Sequence, residues 1–110
     1  MIKNVLIVDD DKDLLVSLKE GLGKYNETFS VFTSANGLDA TEKLKKHTIS
    51  LVVTDLKMEP MDGFSLLSHI MENYPDIPVI IITGYSTPEM EKLAKKGGAV
   101  GYISKPFIIK

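Results

Sequence analysis

Val5-Leu6-Ile7-Val8-Asp9-Asp10 is the stretch that decides the fold. Four aliphatic residues in a row, without polar alternation, describe a strand buried on both faces, as in a parallel sheet covered by helices. The run stops abruptly in two carboxylates. The same sequence grammar recurs further along. Leu51-Val52-Val53-Thr54 runs into Asp55, and Val79-Ile80-Ile81-Ile82 runs into Thr83. Val100-Gly101-Tyr102-Ile103 is followed, after Ser104, by Lys105-Pro106. In an open parallel sheet the carboxyl ends of the strands share one rim, and ligands bind in the crevice there. Acids, a hydroxyl and a lysine delivered to one rim by separate strands are therefore expected to form one site.

Working outward, five apolar runs are expected as strands, at 4–8, 29–33, 50–54, 78–83 and 100–103. Segments of helical period separate them. Leu14, Leu18 and Leu22 recur every four residues and form a core-facing stripe. A second helix is expected over Leu38–Lys46, with Ala40 and Leu44 inward. A third runs from Gly63 to Asn73, with Asp62 placed to cap it and Pro75 beyond its end. The fourth, Pro88–Lys96, starts with proline and stops at Gly97-Gly98, the usual asymmetry of helix ends. The order βαβαβαβαβ predicts an α/β fold, a doubly wound five-stranded parallel sheet with right-handed crossovers. The chain stops at Phe107-Ile108-Ile109-Lys110 with the fifth helix absent. Five strands with four helices are expected to leave apolar surface on one face, so residues 1–110 read as the N-terminal part of a longer protein, or as a unit that another chain covers.

The chain has 110 residues, the size of one domain, and a formal net charge of -2. That charge offers nucleic acid no attractive field. Cysteine is absent, which excludes disulfides and thiolate chemistry. The apolar runs are too short to span a bilayer and a strand pattern begins almost at once, so no membrane association and a cytoplasmic setting are expected.

The rim residues imply a particular chemistry. Asp9, Asp10 and Asp55 carry three negative charges and Lys105 returns one positive charge. The remainder suits a hard divalent cation with oxygen ligands, for which Mg2+ is the natural candidate. No histidine lies near these positions in sequence, so zinc is not indicated. Beside such a cation, Asp55 can attack a phosphoryl group and form an aspartyl phosphate. Lys105 can balance the charge of the transferred group, and the Thr83 hydroxyl can hydrogen-bond one of its oxygens.

The segments LIVDDD (6–11), VVTDLKMEPMDG (52–63), VIIITG (79–84) and GYISKPF (101–107) together resemble response-regulator receiver domains of two-component signalling. The resemblance spans essentially the whole chain. It implies a flavodoxin-like sheet of strand order 2-1-3-4-5, with Asp55 as phosphoacceptor and a sensor histidine kinase as donor. It also implies Mg2+ bound by Asp10, Asp55 and the backbone carbonyl of Lys57, with Asp9 acting through metal-bound water. Lys105 would contact the phosphoryl group, and Lys105-Pro106 would be a cis peptide. Thr83 and Tyr102 would form a switch pair that alters a surface read by an output domain or effector protein, and a homodimer is a further expected partner. Apart from self-phosphorylation and self-dephosphorylation, no enzyme activity is implied. Two positions depart from the family pattern. Met58 is followed by Glu59, with Pro60 one place later than usual, and Glu59 is expected to alter metal affinity. Tyr85 places a large ring near the site mouth, where it is expected to slow attack of water on the phosphoryl group.

Other readings have specific weaknesses. A pseudo-receiver that binds partners without phosphorylation would not need the intact acid, hydroxyl and lysine set. A phosphatase acting through aspartyl phosphate needs an acid/base two residues after the nucleophile, where this chain has Lys57. An FMN binder must cradle phosphate in its first loop, where three aspartates would repel it. Asp11 reads as a helix cap. His47 and His69 read as surface or packing residues, the lysines at 43, 45, 46, 92, 95 and 96 as solvated charge, and Met58 and Met61 as gap fillers.

Overall fold

The computed structural model describes residues 3–24, 28–56, 61–84 and 86–104. Strands and helices alternate as β1 (Lys3–Val8), α1 (Lys12–Gly23), β2 (Phe29–Ser34), α2 (Gly37–Lys46), β3 (Leu51–Asp55), α3 (Gly63–Asn73), β4 (Val79–Thr83), α4 (Pro88–Lys96) and β5 (Gly101–Ser104). The strands form one five-stranded sheet in the order β2-β1-β3-β4-β5, with every pairing parallel. The expected fold class and strand order are both observed.

The unbroken aliphatic runs pack on both faces. Leu6, Val8, Val52, Val79 and Ile81 point to the side covered by α2, α3 and α4, where Leu66, Leu67 and Ile70 close the core. Val5 and Ile7 point the other way, toward Leu15 and Leu18 of α1. Each such side chain removed from water contributes about 1.5–3 kcal/mol, so the large cluster is the main source of stability.

Polar side chains cap all four helices among the described residues at the same end. Asp11 accepts from the amides of Asp13 and Leu14, and Asn36 accepts from that of Asp39. Asp62 and Thr87 do the same for Ser65 and Met90, and each cap is worth about 1 kcal/mol. Asp11 is thus the helix cap that its position suggested. Past α4, Gly98 has φ 110 and packs against Met71, a backbone state that disfavours any side chain.

Some expectations are corrected. In α1 the fully packed residues are Leu15 and Leu18, while Leu14 and Leu22 only flank the core. A helical stripe uses i, i+3 and i+4 positions together, and the four-residue leucine spacing captured one edge of it. The strand limits also shift by a residue. β3 includes Asp55, and β4 begins after Pro78, whose carbonyl accepts from Val52 N. Val100 lies before β5 and is 68% exposed. Lys43 is not simply solvated: it is half-buried, donates to the Thr33 carbonyl and pairs with Asp39 at 3.1 Å, tying α2 to β2. On the α1 side, Ile80 is half-buried and Ile103 is 43% exposed. Residues 105–110, where no fifth helix was expected, lie outside the described residues.

Candidate functional site

Register builds the site. On the adjacent strands β1 and β3, Val8 pairs with Thr54, so the next residues, Asp9 and Asp55, stand side by side at the carboxyl rim. Asp10 follows on the turn into α1. Asp9, Asp10 and Asp55 each offer one carboxylate oxygen, and these oxygens lie within 4.8 Å of one another. Asp9 and Asp55 are buried whereas Asp10 is open to solvent, so the cluster has a buried floor and an accessible mouth.

Local bonds fix both buried acids. Asp9 accepts from Asp11 N at 2.9 Å, and its own amide donates to the Ser34 carbonyl at 3.0 Å. Asp55 accepts from Leu56 N at 2.7 Å. The Thr54 hydroxyl donates to the Asp55 carbonyl at 2.9 Å, which holds that peptide from the core side. The Asp10 carboxyl is raised above its ordinary pKa, first by burial of part of its surface and then by the charges of Asp9 and Asp55. Crowding of like charge on hard oxygen donors is the pattern of a divalent cation site. Neither histidine belongs to the cluster: His47 stacks on Phe32 with ring centroids 4.3 Å apart, and His69 lies beside Tyr74.

The neighbouring strand brings the hydroxyl. Asp55 pairs with Ile82, and Thr83 is the next residue on β4, fully buried at the same rim. Tyr102 pairs with Ile81 on β5 and packs against the larger core cluster. Its hydroxyl is buried with no hydrogen-bond partner among the described residues.

This arrangement of rim and sheet matches a known family. The family model described as "Response regulator receiver domain" matches residues 5–110. The chain belongs to the response-regulator receiver family. It is 38% identical over 107 residues to the transcriptional regulatory protein ZraR of Klebsiella oxytoca, covering 94% of this chain and 23% of that protein. It is 37% identical over 107 residues to a probable cyclic di-GMP phosphodiesterase of Vibrio cholerae, covering 96% of this chain and 24% of that protein. A receiver domain structure from Methanospirillum hungatei, described as CheY-like, superposes with a TM-score of 0.90 at 31% identity, covering 98% of this chain and 85% of the other. The receiver thus spans about a quarter of the length of these curated relatives. Phosphorylation and control of an output are the general function of the family, whose members interact with histidine kinases and output domains.

The receiver's structure brings Asp9, Asp10 and Asp55 together and sets Thr83 on the next strand. Lys105, the Lys57 carbonyl, the Lys105-Pro106 peptide, Met58, Glu59 and Tyr85 lie outside the described residues. Sequence reasoning missed the part played by two glycines. Gly63 meets the carbonyl of Asp55 so closely that a Cβ there would sit 2.0 Å from it, and a Cβ on Gly37 would sit 2.5 Å from the carbonyl of Met61. The only sequence signal was a glycine at the first position of α2 and of α3, where none is needed for helix geometry. No helix among the described residues is long and apolar enough to cross a membrane.

Proposed function

We propose that Asp55 is the phosphoacceptor of this receiver and that Mg2+ is the cation held beside it by Asp9, Asp10, Asp55 and the backbone carbonyl of Lys57. The observation that carries this reading is the carboxylate cluster itself, built by register from two strands, with the oxygens of Asp9, Asp10 and Asp55 within 4.8 Å of one another. Bound there, Mg2+ would supply the countercharge that lets anionic oxygens approach one another.

A carboxylate oxygen of Asp55 attacks the phosphorus of a phosphohistidine on a sensor kinase. The P–O bond forms as the P–N bond breaks, and the electron pair returns to the imidazole nitrogen, which takes up a proton. The hydrogen bond from Leu56 N fixes the Asp55 carboxylate for that attack. Lys105 meets the transferred group with its ammonium and Thr83 donates its hydroxyl to a phosphoryl oxygen. Attack of water on the aspartyl phosphate later releases inorganic phosphate and restores the carboxylate. Self-phosphorylation and self-dephosphorylation are the only reactions this requires of residues 1–110, read as a single receiver domain.

Tyr102 reports the change. As the Thr83 hydroxyl moves to the phosphoryl group, the Tyr102 ring turns inward to fill the space it leaves. The surface around β4 and β5 then differs between the two states, and an output domain, effector or second copy of the chain reads the difference. The proposed setting is the cytoplasm, where a histidine kinase can present its phosphoryl group.

Intact-mass analysis after incubation with Mg2+ and acetyl phosphate tests the reading. A gain of one phosphoryl group (about 80 Da), absent in Asp55→Asn and absent without Mg2+, is the expected result. No gain in protein that binds Mg2+ would refute phosphoacceptance and leave a receiver that acts by binding alone.

A further inference from the structure

We propose that Gly37, remote from the carboxylates in sequence, is a positioning residue for Asp55 and acts through a continuous line of backbone contacts. The proposal rests on the reading of the aspartate cluster as a Mg2+ site. The line starts at α2. Asn36 caps that helix through its side chain, so the first turn is held in place. Gly37 N donates to the Met61 carbonyl at 3.2 Å. The absence of a side chain allows this approach, because a Cβ on Gly37 would stand 2.5 Å from that oxygen and 2.8 Å from both Cβ and Cγ of Met61. Separations below about 3 Å do not occur for real Cβ atoms, and the nearest atom here belongs to backbone, so a side chain at 37 must displace Met61.

Met61 leads directly into Asp62, the cap of α3, and Gly63 is the first residue of that helix. Gly63 N donates to the Leu56 carbonyl at 2.9 Å. A Cβ on Gly63 would lie 2.0 Å from the Asp55 carbonyl and 2.8 Å from Leu56 Cα. The Asp55–Leu56 backbone is therefore pressed between the Thr54 hydroxyl and the start of α3. Gly37 and Gly63 are both buried, so neither contact can relax into solvent. A displacement of Met61 by a side chain at 37 reaches Asp55 through two residues of helix start and one backbone contact. Cation affinity depends on ligand oxygens being held to a few tenths of an ångström, so it is the property most sensitive to such a shift.

The test compares Mg2+ binding by isothermal titration in the unaltered chain, in Gly37→Ala and in Gly23→Ala, alongside thermal unfolding without metal. Gly23 has nothing within 4 Å of a built Cβ and serves as a helix-glycine control. The expected result is a Mg2+ dissociation constant raised at least about fivefold in Gly37→Ala and unchanged in Gly23→Ala. An unchanged dissociation constant in folded Gly37→Ala overturns the proposal. If Gly37→Ala does not fold, amide exchange in the unaltered chain decides. Exchange of the Gly37 amide should slow at least about threefold on saturation with Mg2+, together with that of Gly63, because a fixed Asp55 stiffens the whole line. No change at Gly37 while Leu56 responds overturns it. Absence of any Mg2+ binding in the unaltered chain would instead remove the metal-site reading beneath the proposal, so the two failures are distinct.

Discussion

The middle of the sheet and its carboxyl rim are equally buried and opposite in chemistry. Val8 and Asp9 are neighbours in sequence and both are 0% exposed; Ile82 and Thr83 repeat the pattern at 1% and 0%. Within one residue step each strand passes from hydrocarbon that drives folding to polar groups that oppose it. Burial alone therefore does not identify a core. A buried run that ends in a carboxylate or a hydroxyl marks a place where burial works against folding rather than for it.

The largest break in that comparison comes from the hydrocarbon side. Ile70→Ala, at a fully buried position in the large cluster, should lower unfolding free energy by about 2–5 kcal/mol in chemical denaturation. The Mg2+ dissociation constant of the folded fraction should stay the same. A changed dissociation constant would mean that the rim and the middle are not separable.

Asp10→Asn attacks the other side, with a smaller effect and opposite signs. Because the folded protein raises the Asp10 pKa, it binds that proton more tightly than the unfolded chain does. Metal-free stability should consequently fall as pH rises from below the ordinary aspartate range through the raised value. Asp10→Asn should lack that fall and unfold at slightly higher temperature at neutral pH without metal, a small effect because solvent screens this exposed carboxyl, while binding Mg2+ about tenfold more weakly. Thermal scans across acid pH, with and without Mg2+, check both halves. Asp39 is the internal contrast. The Ser34 hydroxyl beside it, followed by Lys43 and Lys46, holds its pKa below the ordinary value. Its contribution is therefore present at neutral pH and is lost as pH falls below the ordinary range. A carboxylate with countercharge stabilises this fold and a crowded one does not.

The smallest effects concern the two residues that depart from the family pattern. Glu59→Ala should change Mg2+ affinity by about threefold, read by titration. Tyr85→Ala should hasten loss of the phosphoryl group by a similar factor, read by mass over time. Equal values in parent and variant would show that these side chains do not reach the site.

Much of this was legible in the sequence because strands and their terminal charges are local patterns. Val5–Val8 followed by Asp9 and Asp10 can be read without knowing its neighbours, and the four motifs in order supplied the strand sequence across the sheet. The packing of α1 was less legible, since Leu14, Leu15 and Leu18 are equally apolar and only the sheet decides which points inward. Lys43 gave no sign of its bond to Thr33, which lies on a different element. Gly37 and Gly63 were legible as residues but not as contacts, because their partners are carbonyls brought close by the tertiary fold.

The position of β1 between β2 and β3 also governs how such a chain acquires its activity as it is made. β1 and β2 can pair early, but the other edge of β1 waits for Leu51 and the residues after it. The third carboxylate arrives on that same strand. Long-range parallel pairing of this kind is slow to form and leaves hydrocarbon uncovered meanwhile. A nascent or half-folded chain therefore lacks the assembled carboxylate cluster, because the pairing of β1 with β3 is also what sets Asp55 beside Asp9.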